Sequence, residues 1–358
     1  MTLTSHDIIA RGDIKNILAN HSRGIDRADF NLLSSAYHPD ATVDYGFYNG
    51  PAAGLVEILA KAQKTAAPST HRTSNIWIKI VGEMAISESY VMAYVEDATT
   101  QRLVFGRYLD RLSVQDGAWR ISHRTYILDG NTNRPMTAER ADPDVAHTHF
   151  VPQGGHGAAD PGRTLLAYAE AQVNNSLQKD SKMQNNDENT VLNSTLDAAL
   201  SKLAIHDLGM AYCRGVDRAD ADLLKTIFHE DAVVISGVIN GSGNEFSEGI
   251  TDFVENNVDY CFHSVANEWV EVKGDHAVGE HYVVAQMTMG GEDIMTGGRY
   301  IDRYERREGV WKITSRTFVM DWNTKGPTTL QRGGFYEGLK NWGKWGKSDL
   351  VYDLWKMI

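Results

Sequence analysis

The chain reads as two tandem α+β domains, and three observations predict this. Residues 23–41 (RGIDRADFNLLSSAYHPDA) and 214–232 (RGVDRADADLLKTIFHEDA) agree at 11 of 19 positions. The match returns near the end of each half, where 106–131 and 298–323 agree at 12 of 26 positions. Chance would give roughly one match in fifteen to twenty, so the halves are a duplication. Finally, helix-period segments come first in each half and strand-like segments follow, which is the α+β order. The repeat divides the 358 residues into domain 1 (1–135), a linker (136–195), domain 2 (196–328) and an aromatic tail (329–358).

Ile14, Ile17, Leu18, His21 and Ile25 recur at helical spacing, and Asp26 falls on or near the inner face at that helix's end. Asp29 is placed to cap a short second helix through Leu32, Leu33 and Ala36. His38-Pro39-Asp40 ends it, and residues 41–45 read as a strand. Gly50-Pro51 opens a third helix to about residue 65. Four extended stretches follow at 71–81, 84–97, 101–114 and 118–130, separated by turn signals. The second copy repeats the order, with strands near 231–236, 262–273, 276–289, 294–307 and 310–322. In the linker, 150–162 reads as loop, 163–180 as a helix and 181–190 (SKMQNNDENT) as a polar, mobile stretch. The tail is too apolar to lie in water, so it packs on the body, at a subunit interface or over a cavity mouth.

Composition narrows the function classes. Hydrophobic residues make 42% and charged residues 23% of the chain, so each half can build a core. A net charge of −12 with no basic stripe argues against nucleic acid as a partner. Cys213 and Cys261 are the two cysteines, too few for a disulfide framework, and a reducing cytoplasm is the default compartment. The start carries Asp7 and Asp13 where a signal peptide would be apolar, and no run approaches a membrane span.

The chemistry rests on residues that recur in both copies. Alternation places His71, Thr73, Asn75 and Trp77 on one strand face, matched by His263, Val265, Asn267 and Trp269. On the last strand Arg124 and Tyr126 share a face, as do Arg316 and Phe318. A lone solvent face would be copied loosely, yet the Asp, His, Asn and Arg are held in both halves. The first copy is also rich in phenols. Tyr45, Tyr48, Tyr90, Tyr94, Tyr108 and Tyr126 lie on strands expected to line or flank a pocket, with Glu96 and His123 as further titratable groups. Any one of these tyrosines can equally be a half-buried strand residue with its hydroxyl at the rim.

RGxDRxD at the end of the first helix, HPDA before the first strand, HxxxN on the long strand and GRYxDR followed by RT resemble the SnoaL-like branch of the nuclear-transport-factor-2-like superfamily. The resemblance covers about 5–131 and 197–323. It implies a cone in each half, a curved antiparallel sheet around helices with a deep apolar pocket, and pairing of the halves through their sheets as a pseudo-dimer. It also implies an Asp–His base with an assisting Arg: Asp26, His71 and Arg124 in the first copy, and Asp217, His263 and Arg316 in the second. Tyr94 or Glu96 stands where relatives place a further acid or His. Tyr45, Tyr48, Asn75, Tyr108, His123 and Tyr126 are the candidate substrate-binding set.

Such a dyad needs neither metal nor organic cofactor. The carboxylate fixes the imidazole tautomer, and the other ring nitrogen takes a proton from carbon or oxygen. The plainer readings are helix caps for Asp26 and Asp217, and ion pairs to Asp110 or Asp302 for Arg124 and Arg316. His147, His149 and His156 match no firm zinc spacing. The resemblance, which extends to lyases of lignin-derived diarylpropanes, implies a cofactor-independent lyase acting on a small hydrophobic aromatic molecule, in particular a lignin-derived phenolic diaryl diol, and the Tyr-rich first copy suits such a substrate. Dehydration or isomerisation of another hydrophobic alcohol or ketone is the alternative, and a non-catalytic binding module is the competing class. The first copy is expected to be the stronger site, and the larger assembly, a homo-oligomer included, is left open.

Overall fold

The computed structural model describes residues 4–63, 69–136, 156 and 188–358. Thr4 opens α1 (Ser5–Asp26) with a capping box to Asp7. α2 (Phe30–Ser35) starts on Asp29, whose side chain accepts from the Leu32 N–H as expected. β1 (Tyr37–Asp44), the short β2 (Asn49–Pro51) and α3 (Ala52–Gln63) follow. The long strands are β3 (Thr70–Val81), β4 (Met84–Glu96), β5 (Thr100–Gln115) and β6 (Ala118–Pro135).

The second copy runs in the same order: α4 (Glu188–Asp217), α5 (Ala221–Ile227), β7 (Phe228–Ile235), β8 (Asn240–Ser242) and α6 (Gly243–Asn257), then β9 (Tyr260–Lys273), β10 (His276–Met289), β11 (Glu292–Arg307) and β12 (Val310–Pro327). α4 begins at Glu188, so the end of the stretch read as mobile is helical. The helix expected at 163–180 lies outside the described residues. No described helix is long and apolar enough to cross a membrane.

Each copy forms a six-stranded sheet, ordered β2-β1-β6-β5-β4-β3 and β8-β7-β12-β11-β10-β9. The sheets are not wholly antiparallel, because β1 lies parallel to β6 and β7 parallel to β12. A long helix covers the inner face. In the first copy Ile14, Leu18 and Ile25 of α1 pack with Val43, Ile78, Val91, Leu112 and Ile121. Ile205, Met210 and Val216 of α4 do the same in the second copy, against Val265, Val283 and Ile313.

The copies meet through the outer faces of their sheets. Tyr90 and Phe105 pack on Tyr260 and Phe262, with the Tyr90 and Phe262 rings 4.9 Å apart. A Cβ at Gly130 would sit 2.3 Å from the Tyr260 ring, so this approach requires glycine. Beside this patch lies a buried charge cluster. Arg107 reaches Asp129 at 2.8 Å, Glu88 at 3.0 Å and Asp349 at 2.7 Å. Arg214 and Arg218, from the second RGxDRxD, join it through Glu88 and Asp129. Glu88 and Asp129 belong to the first copy, Arg214 and Arg218 to the second, and Asp349 to the tail.

The tail packs on the body, one of its three expected places. Its backbone pairs with β6 through Leu128 N–H to Asn341 O (2.7 Å) and Gly343 N–H to Leu128 O (2.9 Å). Tyr336 is fully buried, donates to Asn133 and packs in the first core beside Leu339 and Trp342. α7 (Val351–Trp355) then sets Trp355 on Trp77 and Tyr352 against Asp220.

Candidate active site

The last turn of α1 and the first residues of β3 bring Asp26 to His71. The Asp26 carboxylate accepts from His71 Nδ1 at 2.6 Å, from the His71 backbone N–H at 2.7 Å and from Ser69 Oγ at 2.8 Å. Three donors hold the carboxylate, and the carboxylate in turn holds the ring with its proton on Nδ1. Among the described residues Nε2 has no hydrogen-bond partner, so it is the nitrogen left to accept a proton. The second copy repeats the arrangement. Asp217 accepts from His263 Nδ1 at 2.5 Å, from its backbone N–H at 2.9 Å and from Cys261 Sγ at 3.0 Å. Burial pushes the Asp217 carboxyl up, but its bonds to His263 and the charges of His263 and Arg218 outweigh that and hold it below the ordinary value. The two carboxylates are therefore more than helix caps.

Arg124 meets Asp110 through two bonds of 2.6 and 2.7 Å, and its guanidinium lies 4.0 Å from the Tyr108 ring centre. Arg316 meets Asp302 at 2.8 and 2.6 Å and lies over Tyr212 and Tyr300. The ion-pair alternative is thus formed in both copies. In each, the remaining Nη1 is buried without a partner. Each arginine is a fixed positive charge behind a layer of phenols.

In the first copy Tyr45 directly follows β1, Tyr108 lies on β5 and Tyr126 on β6. Tyr45 stacks on Tyr126 with centroids 5.5 Å apart, and Tyr108 is 5.7 Å from Tyr126. Burial pushes the Tyr45, Tyr108 and Tyr126 hydroxyls above their ordinary value, so they are neutral donors at pH 7. Sequence reasoning missed two members of this layer as site residues. His21 is fully buried, its Nε2 lies 3.5 Å from the Tyr45 hydroxyl, and Tyr37 packs on its ring. Burial, with Arg124 and His71 nearby, pushes His21 well down, so it is a neutral imidazole. Its signal was visible as a histidine on the apolar face of α1, one turn before Ile25.

Tyr90 lies in the contact between the copies, and four further expected residues also lie elsewhere. Asn75 sits at a bulge in β3 with φ +47° and bonds across to the second copy: its Nδ2 donates to His263 O (2.6 Å) and its Oδ1 accepts from Val265 N–H (2.7 Å). The bulge interrupts the alternation that put Asn75 and Trp77 on the His71 face. Tyr94 and Glu96 bond each other at 2.6 Å. In register His71 faces Ala93, whose neighbours Val91 and Val95 point into the core, so Tyr94 and Glu96 fall on the opposite face. His123 likewise sits on the outer face, bonded to Thr42 Oγ1 at 2.7 Å, because a bulge at Ser122 sets it out of step with Ile121. Tyr48 stays at the rim, its hydroxyl on Pro51 O at 2.9 Å.

The second copy holds a cavity of about 280 Å³. His263 is on its wall with Tyr212 and Tyr300, and most of the rest is apolar, including Phe246, Val283, Met287 and Phe318. Arg316 is not on this wall; Tyr212 and Tyr300 stand between, so its charge acts through them. Asp217, Cys261 and His263 offer ligand atoms within 4.8 Å of one another. Burial and Asp217 push the Cys261 thiol well up, so it is a protonated donor to the carboxylate. His147 and His149 lie outside the described residues. Both copies build the dyad, so its geometry ranks neither above the other.

Each copy is thus an α+β domain whose sheet and long helix enclose an Asp-held histidine. The chain belongs to the SnoaL-like domain family, which it matches twice, over residues 6–125 and 197–317. It is 28% identical over 139 residues to hexachlorocyclohexane dehydrochlorinase 1 of Sphingobium indicum, covering 37% of this chain and 88% of that protein. The gamma-hexachlorocyclohexane dehydrochlorinase of the same species is also 28% identical, covering 87% of its length. Among solved structures, a type 2 hexachlorocyclohexane dehydrochlorinase is 29% identical, with TM-score 0.32 over 35% of this chain and 88% of that one. A putative scytalone dehydratase from Novosphingobium aromaticivorans is 20% identical, with TM-score 0.35 over 38% of this chain and 95% of that one.

Proposed function

We propose that the protein is a cofactor-free lyase that eliminates a leaving group from a bulky hydrophobic substrate, with His71 as base and Asp26 as its holder. The observation that carries this is the Nδ1-anchored imidazole with Nε2 left for a proton. The sequence relatives, named as dehydrochlorinases, support elimination as the reaction class. Two intact dyads count against a purely non-catalytic module.

For the substrate of the first copy we favour a phenolic 1,2-diaryl-1,3-diol, of the kind lignin yields. The Tyr45, Tyr108 and Tyr126 hydroxyls are neutral donors in front of the Arg124 charge, suited to a phenolate and to a departing hydroxyl. Loss of the benzylic hydroxyl as water, with the phenol proton, leaves a quinone methide. His71 Nε2 then takes the proton of the primary alcohol. The bond to that carbon breaks, formaldehyde leaves, and the electron pair forms the stilbene double bond and restores the phenolate. The sum is diol to stilbene, formaldehyde and water.

The apolar cavity at His263 favours a second reading for that copy, dehydration or isomerisation of a non-phenolic hydrophobic alcohol or ketone. The test is a panel assay with phenolic diaryl diols, followed by stilbene absorbance and formaldehyde, beside hexachlorocyclohexane, followed by chloride. Stilbene and formaldehyde in equal amounts support the phenolic reading. Chloride alone would support elimination and overturn the phenolic substrate.

A further inference from the structure

We infer that Asn75 of the first copy is a positioning residue for His263 of the second, so that one histidine is set from across the domain boundary. β9 is an edge strand of its sheet, with no strand beyond it among the described residues. The His263 carbonyl and the Val265 N–H flank Ser264, and one side-chain amide from the other copy satisfies both, at 2.6 and 2.7 Å. Donor meets acceptor at each end, so the Asn75 amide acts as a surrogate peptide group continuing the ladder.

The surroundings fix that amide. Asn75 is 5% exposed, and its φ of +47° aims the side chain out of β3. Ser74 Oγ meets Ser264 Oγ at 2.9 Å, and the Ile76 carbonyl meets His206 Nε2 at 2.9 Å. Three consecutive residues of the bulge therefore grip the second copy. The arrangement is one-sided. Asn267, the duplicate residue, keeps the same backbone twist at φ +49° but is exposed. His263 is clamped from outside its own domain, whereas no bond of this kind reaches the His71 backbone among the described residues. Asn75 also stands four residues from His71 on the same strand, so the clamp ties the two dyads into one framework.

The catalytic half of this inference rests on the dyads being bases; the structural half does not. The test uses the full chain labelled with ¹⁵N-histidine, with the His263 ring signals assigned through His263→Gln. Asn75→Gly keeps the backbone twist and removes the amide, and Asn267→Gly is the control. In the wild type the His263 ring should be one tautomer, protonated on Nδ1. Asn75→Gly should move its ring nitrogens toward the average of two tautomers while the His71 signals stay in place, and Asn267→Gly should change neither. Asn75→Asp, which keeps the acceptor for Val265 and loses the donor, should fall between.

Activity is read in a His71→Gln background with whichever panel substrate turns over there. Asn75→Gly should lower kcat by about 10- to 100-fold with KM little changed. Unchanged His263 signals in a folded Asn75→Gly protein would overturn the positioning role. Absence of turnover in the parent protein would overturn the lyase reading and leave the spectroscopic test standing.

Discussion

Arg124 shows how one residue can fit two readings at once. Asp110 takes two of its nitrogens in the buried sheet, and the third faces the phenol layer with no partner. Arg124→Ala would strand a buried carboxylate, so stability should drop by about 3–5 kcal/mol, measured by urea unfolding. An activity loss in that variant therefore reads as unfolding unless the double variant Arg124→Met with Asp110→Leu restores the fold. The acid side has a definite sign. Asp217 has a lowered pKa in the folded chain. Its contribution to stability is present above the unfolded value of about 3.9 and is lost as pH falls through the lower folded value. Asp217→Asn should flatten the acid limb of a stability–pH curve, and an unaltered limb would contradict the assignment. At this scale the duplication made Asp26, His71, Asp217 and His263 legible, because side chains that must meet are kept together. His21 was harder to see, since a buried neutral histidine sits on an apolar helix face as any core residue does.

Between elements, the bulges decide what alternation alone does not. Residues of β3 before Asn75 keep the period of two, and the step at Asn75-Ile76 resets it, which turns an expected pocket residue into a domain contact. Nothing in the local pattern HRTSNIWIK marks the extra residue, although asparagine is among the side chains that tolerate positive φ. The helix–sheet joint carries its own prediction. His206 of α4 donates to Glu268 of β9 at 2.6 Å and meets the Ile76 carbonyl of β3. Burial alone would lower the His206 pKa, but Glu268 outweighs it and raises the value above 6.5, while Glu268 itself is held at about 2. The charged pair thus stabilises the fold fully between about pH 4.3 and 6.5, and the His206 contribution is lost as pH rises through the raised value. Thermal unfolding midpoints should fall as pH rises through that value in the wild type and stay flatter in His206→Gln.

The whole molecule is held by charges that the sequence displays but does not connect. Arg107, Arg214 and Arg218 are motif residues in the alignment of the halves, yet their carboxylates come from the first sheet and from the tail. Arg107 meets Glu88 and Asp129 within its own sheet, but Arg214 and Arg218 reach those carboxylates only where one copy packs on the other, so no periodicity could have paired them. The tail was legible as apolar and in need of cover, and Asp349 is the polar pin inside it, held well below the usual carboxylate range because Arg107 and Arg218 outweigh its burial. Asp349→Ala should cost roughly 1–3 kcal/mol of stability and expose tail tryptophans to a fluorescence quencher.

If an Asp-held histidine is the base of an elimination reaction, turnover depends on both members of the dyad. The most direct measurement is turnover of the substrate found in the panel assay by Asp26→Asn, His71→Ala and His263→Ala proteins, each checked for a native circular dichroism spectrum. Asp26→Asn and His71→Ala, while folded, should lose about 10²–10⁴-fold in kcat for the first copy's substrate, and His263→Ala should do the same for any substrate of the second. Full activity in folded Asp26→Asn and His71→Ala proteins, with His263→Ala also active, would contradict it.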